Sequence, residues 1–337
     1  MTPANETDPV DTEDRPMVVE VRDLHVTLRR RRDGATIRPV NGVSFSVRKG
    51  RTLGIVGESG SGKSTMAMSI PGLLPKSANR GGEIRFDGDN LLTLPEAELR
   101  KLRGRRIAMI FQDPMVALDP LFTVGEQLAE VLRTHTDLQD EALQARQIAL
   151  LEAVGIPSPE TRLKQYPHEL SGGQLQRLVG AIAISCDPEL LIADEPTTAL
   201  DPTAQAGYLE LLERLSREYG LALIIVTHDL GVVARICQDV VVLYAGAAAE
   251  QGPVRALFDR PRHPYTRALL TSLPQADGVD AELPTIEGQP PDLGALPPGC
   301  PFAPRCPMVQ QRCVEAQPPE MTFETGQRSR CWRADEL

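Results

Sequence analysis

A glycine-rich stretch constrains this chain more than any other feature. Residues 57–65 read GESGSGKST and satisfy the pattern G-x-x-x-x-G-K-[ST]. An apolar run, Leu53 to Val56, precedes the stretch, and a helix is predicted from Met66 to Leu74. Loops of this kind turn successive backbone N–H groups toward a phosphate chain. The sequence therefore predicts a phosphate-binding loop, and the candidate nucleotide-binding residues are Gly57, Ser59, Gly60, Ser61, Gly62, Lys63, Ser64 and Thr65. Lys63 is expected to reach the β- and γ-phosphates, and Ser64 to ligate Mg²⁺.

The composition excludes several classes of protein. Hydrophobic residues make up 41% of the 337 residues and charged residues 24%, as in an ordinary globular protein. A net charge of -10 argues against a broad basic face for nucleic acid, so no nucleic-acid partner is expected. No run approaches the roughly 18 to 20 apolar residues of a membrane span. The acidic start, residues 1–16, lacks the features of a secretory signal and is predicted to be a disordered tail.

The order of apolar patterns predicts an α/β fold. Strand patterns are found at 18–21, 24–28, 42–47, 82–90, 106–111, 190–194, 221–227, 240–244 and 247–251. Helical spacing occupies 124–133, 138–154 and 174–185, so a helical subdomain is expected at about 113–180. We expect one folded unit over 17–255. Residues 256–337 form a proline- and cysteine-rich extension, which is too poor in apolar residues to build a core without a staple.

Two further motifs are suited to phosphate chemistry. Asp194 and Glu195 end the apolar strand that begins at Leu190, and this is the sheet edge where α/β folds bind ligands. Asp194 is expected to hold Mg²⁺, and Glu195 to orient and deprotonate an attacking water. Ser171, Gly172, Gly173 and Gln174 open a predicted helix, where a hydroxyl and free N–H groups could bind an anion.

Taken together, these motifs resemble those of the ATP-binding cassette (ABC) ATPases. The glycine-rich loop, Gln112, residues 170–174, Asp194-Glu195, residues 199–201 and His228 occur in that family's order and approximate spacing, across about 17–255. The resemblance implies a P-loop nucleotide-binding domain, with a RecA-like core, an antiparallel β subdomain and a helical subdomain.

The resemblance also implies roles for individual residues. Lys63, Ser64 and Asp194 would hold MgATP, Glu195 would be the general base, and His228 would contact the γ-phosphate. Gln112 would sense Mg²⁺ and link the site to a membrane partner. Cassettes of this family pair head to tail, so the Ser171-Gly172-Gly173 helix, with Gln174, would complete the ATP site of a second cassette. Asp201 would communicate across that dimer.

One position departs from the family's pattern. Cassettes of this type usually stack an aromatic side chain on adenine near the end of the first strand, where this chain has Leu28. Phe, Tyr and Trp are absent from residues 18–43. We therefore expect weak discrimination between purine bases, with Leu28 or an arginine of residues 29–32 covering the base.

Several stretches resemble one branch of the family, the ATPases of oligopeptide, dipeptide and nickel importers. They read AMIFQDP (108–114), YPHELS (166–171), ADEPTTAL (193–200), THDLGVV (227–233), HPYT (263–266) and GCPFAPRC (299–306). The pattern is closest to the first of the two ATPase subunits that such importers often carry. This resemblance implies an ATP-hydrolysing subunit that is peripheral at the cytoplasmic face of the cell membrane. Its implied partners are two separate permease subunits, a second ABC ATPase subunit, homologous or identical, and an extracytoplasmic substrate-binding protein.

Other functions remain open at this point. A soluble ABC ATPase could clamp a macromolecule without transport, but such proteins would carry a long coiled-coil insertion, tandem cassettes or a basic face, and the sequence shows none of these. A regulatory module without turnover is disfavoured because Glu195 and His228 are both present. The cargo, whether a peptide or nickel, is not decided by this chain.

Four cysteines in the extension suggest a metal site. Cys300, Cys306, Cys313 and Cys331 have the spacing C-x₅-C-x₆-C-x₁₇-C, and four thiolates can hold a cubane cluster or a tetrahedral zinc. Some members of the importer branch carry a [4Fe–4S] cluster in this tail, so the resemblance favours the cluster. Zinc, disulfides and free thiols follow in that order.

Other residues of the chain are assigned structural roles. His263 and Tyr265 are expected to make a contact between tail and cassette. Cys186 and Cys237 are expected to be inert core residues.

Overall fold

The computed structural model describes residues 15–198, 200–273 and 285–337. Most of the predicted acidic tail and Ala199 lie outside the described residues. The strands are β1 (Met17–Arg29), β2 (Thr36–Arg48), β3 (Thr52–Val56), β4 (Asn79–Phe86), β5 (Asp89–Asn90), β6 (Ile107–Ile110), β7 (Leu190–Asp194), β8 (Ala222–Thr227), β9 (Asp239–Tyr244), β10 (Ala247–Pro253), β11 (Met321–Thr322) and β12 (Arg328–Ser329). The helices are α1 (Lys63–Ser69), α2 (Glu96–Leu102), α3 (Pro114–Ala117), α4 (Val124–His135), α5 (Asp140–Ala153), α6 (Pro159–Arg162), α7 (Gly172–Ile184), α8 (Pro202–Tyr219), α9 (Leu230–Ile236), α10 (Val254–Asp259), α11 (Pro264–Thr271) and α12 (Gln311–Glu315).

The first sheet is antiparallel, with the order β2-β1-β4-β5. The sequence predicted two strand segments, at 18–21 and 24–28, whereas β1 is one strand. Its register shifts between Val21 and Leu24, where Asp23 has a φ of 48°. A β-bulge interrupts the alternation of buried and exposed residues without ending the strand, so the pattern resembles a break.

The second sheet carries the candidate site, in the order β11-β12-β10-β9-β3-β8-β7-β6. Strands β9, β3, β8, β7 and β6 are parallel, and β10 turns back antiparallel to β9. The C-terminal extension adds to this sheet, because Ser329 of β12 pairs with Glu250 of β10. Strands of only two residues give no periodic pattern, so β11 and β12 were not predicted.

Both faces of the second sheet are covered, which explains the continuous apolar runs of its central strands. Along β8, Leu223 and Ile225 pack into one hydrophobic cluster, and Ile224 and Val226 into the other. Helices α4, α5, α7 and α8 cover the first face, and α1 with the antiparallel sheet covers the second.

The extension packs side chains into the hydrophobic core of the cassette. Tyr265 and Phe302 are almost fully buried and belong to the same hydrophobic cluster as β7 and β8. The rings of Tyr244, Tyr265 and Phe302 lie against one another, with centroids 4.6 to 5.4 Å apart.

Helices α3 to α7 lie between β6 and β7 in the chain, at 114–184. Helix α1 ends at Ser69, earlier than predicted, because Pro71 and Gly72 follow and Gly72 has a φ of 67°. Within the described ranges, no helix is long and apolar enough to cross a bilayer.

Candidate active site

The glycine-rich loop connects the end of β3 to α1. Gly62 caps this helix with a φ of 103°, and a Cβ there would lie 1.8 Å from the carbonyl oxygen of Pro39, so only glycine fits. Among the described residues, the N–H groups of Ser59, Gly60 and Gly62 donate to no protein acceptor. Unpaired backbone donors on a tight loop match the needs of a phosphate group.

Lys63 lies at the centre of this loop and is 5% exposed. Its ammonium donates to the carbonyl oxygens of Gly57, at 2.7 Å, and Glu58, at 3.0 Å. Two of its three N–H donors are therefore used within the loop, which leaves one for a phosphate oxygen. Burial lowers the pKa of Lys63, and neighbouring carboxylates, led by Glu195, oppose that shift.

Ser64 and Asp194 meet across 130 residues of sequence. The Ser64 hydroxyl donates to Asp194 Oδ1 at 3.2 Å, which joins the start of α1 to the end of β7. Burial raises the pKa of Asp194, and the proximity of Glu195 adds to the shift. A bound cation would favour the ionised carboxylate, so this hydroxyl–carboxylate pair fits Mg²⁺ coordinated partly by water and phosphate.

Glu195 links the ends of three adjacent strands. Its Oε2 accepts from Gln112 Nε2, beyond β6, at 3.1 Å, and from the Thr198 hydroxyl at 3.0 Å. On the other side, His228 Nδ1, beyond β8, lies 3.4 Å from its Oε1. The side chain of Glu195 is 17% exposed, so the carboxylate is held in place and still reachable by water.

Ser171 and Asp201 act as helix caps. Ser171 Oγ accepts from the Gln174 N–H, and Gln174 Oε1 accepts from the Ser171 N–H, which forms a capping box at the start of α7. Asp201 Oδ1 accepts from Thr203 and Ala204 at the start of α8. The side chains of Lys63, Ser64, Gln112, Asp194, Glu195 and His228 are brought together, whereas Ser171 to Gln174 form a separate, largely exposed helix start.

The proposed adenine position is bordered by the extension. Leu28 is half-buried at the end of β1 and pairs with Ile37 of β2. Two residues further on, Arg30 is held by Asp33 and by Asp292 of the extension, with nitrogen–oxygen distances of 2.8 and 2.9 Å. Leu293 extends this contact, because its carbonyl oxygen accepts from the Arg38 N–H.

The four cysteines of the extension line one cavity of about 20 Å³. Cys313 and Cys331 are buried, and burial raises the pKa of Cys331 to about 11, with the other three thiols adding to the shift. In the described part of the chain, no group of three or more His, Cys, Asp or Glu side chains is already arranged to bind a metal ion. The donor set fits a soft metal.

Sequence reasoning missed a second layer around the phosphate loop. Glu58 forms a double ion pair with Arg305, and its N–H donates to the Tyr265 hydroxyl at 2.9 Å. The contact expected between tail and cassette at Tyr265 is thus present, whereas His263 caps α11 through its Nδ1. No motif joins Glu58 to Arg305, which follows it by 247 residues. Only the position of Arg305 beside Cys306 could have drawn attention to it.

The cysteines inside the cassette match their structural assignment. Cys237 is buried and Cys186 is half-buried, and burial raises the pKa of both thiols. A protonated thiol is a poor nucleophile and metal ligand.

A phosphate loop after β3 that faces a carboxylate pair at the end of β7, two strands away in the same parallel sheet, is typical of an ATP-binding cassette. Residues 40–198 match the family model described as ABC transporter, and residues 249–313 match that of the oligopeptide/dipeptide transporter C-terminal region. The chain belongs to the family of oligopeptide and dipeptide transport ATP-binding proteins.

Relatives support that membership over nearly the whole chain. The chain is 49% identical to the oligopeptide transport ATP-binding protein OppD of Salmonella typhimurium, over 94% of both chains. It is 47% identical to the dipeptide transport ATP-binding protein DppD of Bacillus subtilis, over 95% of both. Among solved structures, the ATP-binding cassette MJ0796, a dimer bound to ADP and phosphate, superposes with a TM-score of 0.62 at 30% identity. That match covers 70% of this chain and 99% of MJ0796.

Proposed function

We propose that this chain is the ATP-hydrolysing subunit of a peptide importer. The observation that carries the proposal is the position of Glu195, held between Gln112 and His228 and next to the Ser64–Asp194 pair. The relatives OppD and DppD are oligopeptide and dipeptide transport proteins, which supports a peptide cargo over nickel.

The residues divide the chemistry of hydrolysis among them. Ser64 and Asp194 would hold Mg²⁺, and Lys63 with the loop N–H groups would bind the β- and γ-phosphates. Magnesium, when bound, neutralises charge on the phosphates. Glu195 would orient the attacking water and accept its proton, while Gln112 and His228 fix the direction of that carboxylate.

A second cassette would complete the site. Ser171 and Gly172 are exposed at the start of α7, and a Cβ at Gly172 or Gly173 would meet no atom within 4 Å. This open helix start is free to approach the γ-phosphate of a facing cassette. MJ0796, which is similar in fold, is a dimer in its solved form. Asp201, which caps the neighbouring helix α8, would lie at the same interface.

An exposed apolar surface beside Gln112 fits a permease. Between β6 and α4, the side chains of Met115, Val116, Leu121 and Phe122 are 49 to 82% exposed. Grouped apolar side chains on a protein surface mark an interaction site. We place the contact with the separate permease subunits here, so movement there would reach Glu195 through Gln112. The subunit would then be peripheral at the cytoplasmic face of the membrane, with an extracytoplasmic binding protein delivering the peptide.

Peptide uptake by cells carrying a Glu195→Gln chain tests the function. The variant keeps the size of the side chain and removes the base, so uptake of labelled peptide should stop. Glu189→Gln is the matched control, because Glu189 lies just before β7 and pairs with Arg106 at the surface. Uptake that continues with Glu195→Gln, or stops equally with Glu189→Gln, would contradict the proposal.

We further propose that the four extension cysteines hold a metal centre, with a [4Fe–4S] cluster ranked before zinc. The lining of one cavity by all four cysteines supports a metal. Protein prepared anaerobically should absorb broadly near 400 nm and contain about four irons per chain. Stoichiometric zinc without iron would show that the site holds zinc instead of a cluster. Protein that is as stable without metal as with it would refute both.

A further inference from the structure

Glu58 is the residue of the phosphate loop that the extension holds most firmly. Arg305 donates to both of its carboxylate oxygens, at 2.8 and 3.0 Å. The backbone N–H of Glu58 donates to the Tyr265 hydroxyl. The side chain and the backbone of one loop residue are thus fixed by two residues of the extension.

Arg305 is itself built into a fixed frame. Its side chain is 4% exposed. Besides Glu58, it donates to the carbonyl oxygens of Ile286 and Glu287 and to the hydroxyl of Tyr244. These acceptors hold the buried guanidinium in one position. A shift of the loop that carries Arg305 would therefore shift the guanidinium as well.

The loop that carries Arg305 is part of the four-cysteine site. Arg305 immediately precedes Cys306, and Cys300 bonds through its N–H to the carbonyl oxygen of Cys313 at 2.7 Å. Phe302, a residue of this loop, packs against the rings of Tyr244 and Tyr265. The folding of the cysteine loop therefore determines where the guanidinium lies.

The other end of the contact reaches the phosphate-binding lysine. Lys63 donates to the Glu58 carbonyl oxygen, so its ammonium shares a residue with the Arg305 ion pair. When Glu58 shifts, one of the two acceptors that hold Lys63 shifts with it.

We propose that Arg305 is a positioning residue for the phosphate loop: through Glu58 it sets the position of Lys63, and the C-terminal extension thereby determines the affinity of the site for nucleotide. This inference rests on the proposed ATP site and adds a residue that touches no phosphate. Loss of Arg305 removes binding that ground state and transition state share, so KM for ATP should rise while kcat is kept.

The test is the dissociation constant of MgATP measured with purified full-length variants. Arg305→Met should weaken binding by about tenfold and raise KM by the same factor. Glu58→Gln should weaken binding too, and the double variant should be no weaker than Arg305→Met alone, because both changes break one contact. Should Arg305→Met fail to fold, Glu58→Gln tests the same contact from the loop side.

Arg333→Met is the matched control. Arg333 lies two residues after Cys331, donates to the Met308 carbonyl oxygen and pairs with Glu336 within the extension. Its loss should lower the unfolding temperature and leave MgATP affinity unchanged. Equal weakening by Arg333→Met, additive effects of Glu58→Gln and Arg305→Met, or unchanged affinity in a folded Arg305→Met chain would each overturn the inference. Failure of the wild-type chain to bind MgATP would instead overturn the proposed function.

Discussion

Glu195 has a φ of 46°, a conformation that few residues other than glycine adopt. Its N–H donates to the Val226 carbonyl oxygen, which ties the strained residue to β8. Strain of this kind is retained where surrounding contacts over-determine the backbone, as they do at many functional sites. It turns the carboxylate toward Gln112 and His228 at the sheet edge.

Replacement of Glu195 by glutamine should separate binding from hydrolysis. The ATPase rate of the purified chain should fall by about a hundredfold or more, because a general base is lost, while MgATP affinity is kept. Steady-state hydrolysis and equilibrium binding measure the two quantities, with Glu189→Gln as the control. A hydrolysis rate close to that of the wild type would remove Glu195 from its assigned role.

Leu28 should make the site discriminate weakly between the purine bases of ATP and GTP. With an aliphatic side chain at this position, ATP and GTP should bind with similar affinity, and Leu28→Tyr should favour ATP by offering a stacking surface. Thr27→Tyr is the control, because successive strand residues point to opposite faces. Strong preference of the wild-type chain for ATP would show that another group recognises adenine.

At the scale of residues, what the sequence predicted depended on local patterns. Lys63, Ser64 and Asp194 follow from fixed spacing next to an apolar strand, and the structure brings them together. The pairs Glu58–Arg305 and Arg30–Asp292 join distant segments through single side chains. Such contacts depend on the path of the extension, which no periodicity encodes.

At the scale of elements, β10 is the strand that joins cassette and extension. Glu250 of β10 is 1% exposed, and its Oε1 accepts from the Arg262 N–H and from Gln327 Nε2. Burial raises the pKa of Glu250 to about 7, and burial lowers the pKa of the nearby His263 to about 4. Both groups are therefore neutral in the folded chain near pH 6.

The contributions of these two residues to the free energy of unfolding should change with pH in opposite directions. Glu250 binds its proton more tightly when folded, so its contribution falls as pH rises from about 4.5 to 7. His263 binds its proton more weakly when folded, so its contribution grows between about 4 and 6.5. Each shift corresponds to about 3 kcal/mol at most, and in the wild-type chain the two largely cancel.

Glu250→Gln should expose the histidine's effect. The free energy of unfolding, measured by denaturant titration between pH 4.5 and 6.5, should rise with pH in this variant more steeply than in the wild type. Glu320→Gln is the control, because Glu320 is exposed, lies just before β11 and pairs with Arg328 of β12. Parallel pH profiles for Glu250→Gln and wild type would show that Glu250 is not held neutral.

The elements of the cassette were largely predictable, and those of the extension were not. The buried strands β7 and β8 and the helices α5 and α7 lie within two residues of their predicted bounds, because long apolar patterns define them. Residues 285–337 form short turns held by side chains, so few local signals exist. These residues pack into the hydrophobic cluster of the cassette through Phe302.

At the scale of the whole molecule, the proposed function requires one chain to supply two half-sites. The phosphate loop and the exposed Ser171 helix start lie on separate elements, so a head-to-tail pair would form two complete ATP sites. The ATPase rate per chain should therefore rise with protein concentration, and Ser171→Arg should abolish the rise by blocking the γ-phosphate position. A rate per chain that is independent of concentration, with Ser171→Arg fully active, would argue for a site complete in one chain.

Capture of this subunit from gently solubilised membranes, under anaerobic conditions and with every stoichiometric partner identified, tests the importer function most directly. The proposed function predicts two multi-span proteins and a second cassette, with a substrate-binding protein attached when peptide is present. Recovery only from the soluble fraction, bound to ribosomes, nucleic acid or nothing, would contradict an importer and favour a soluble ATPase.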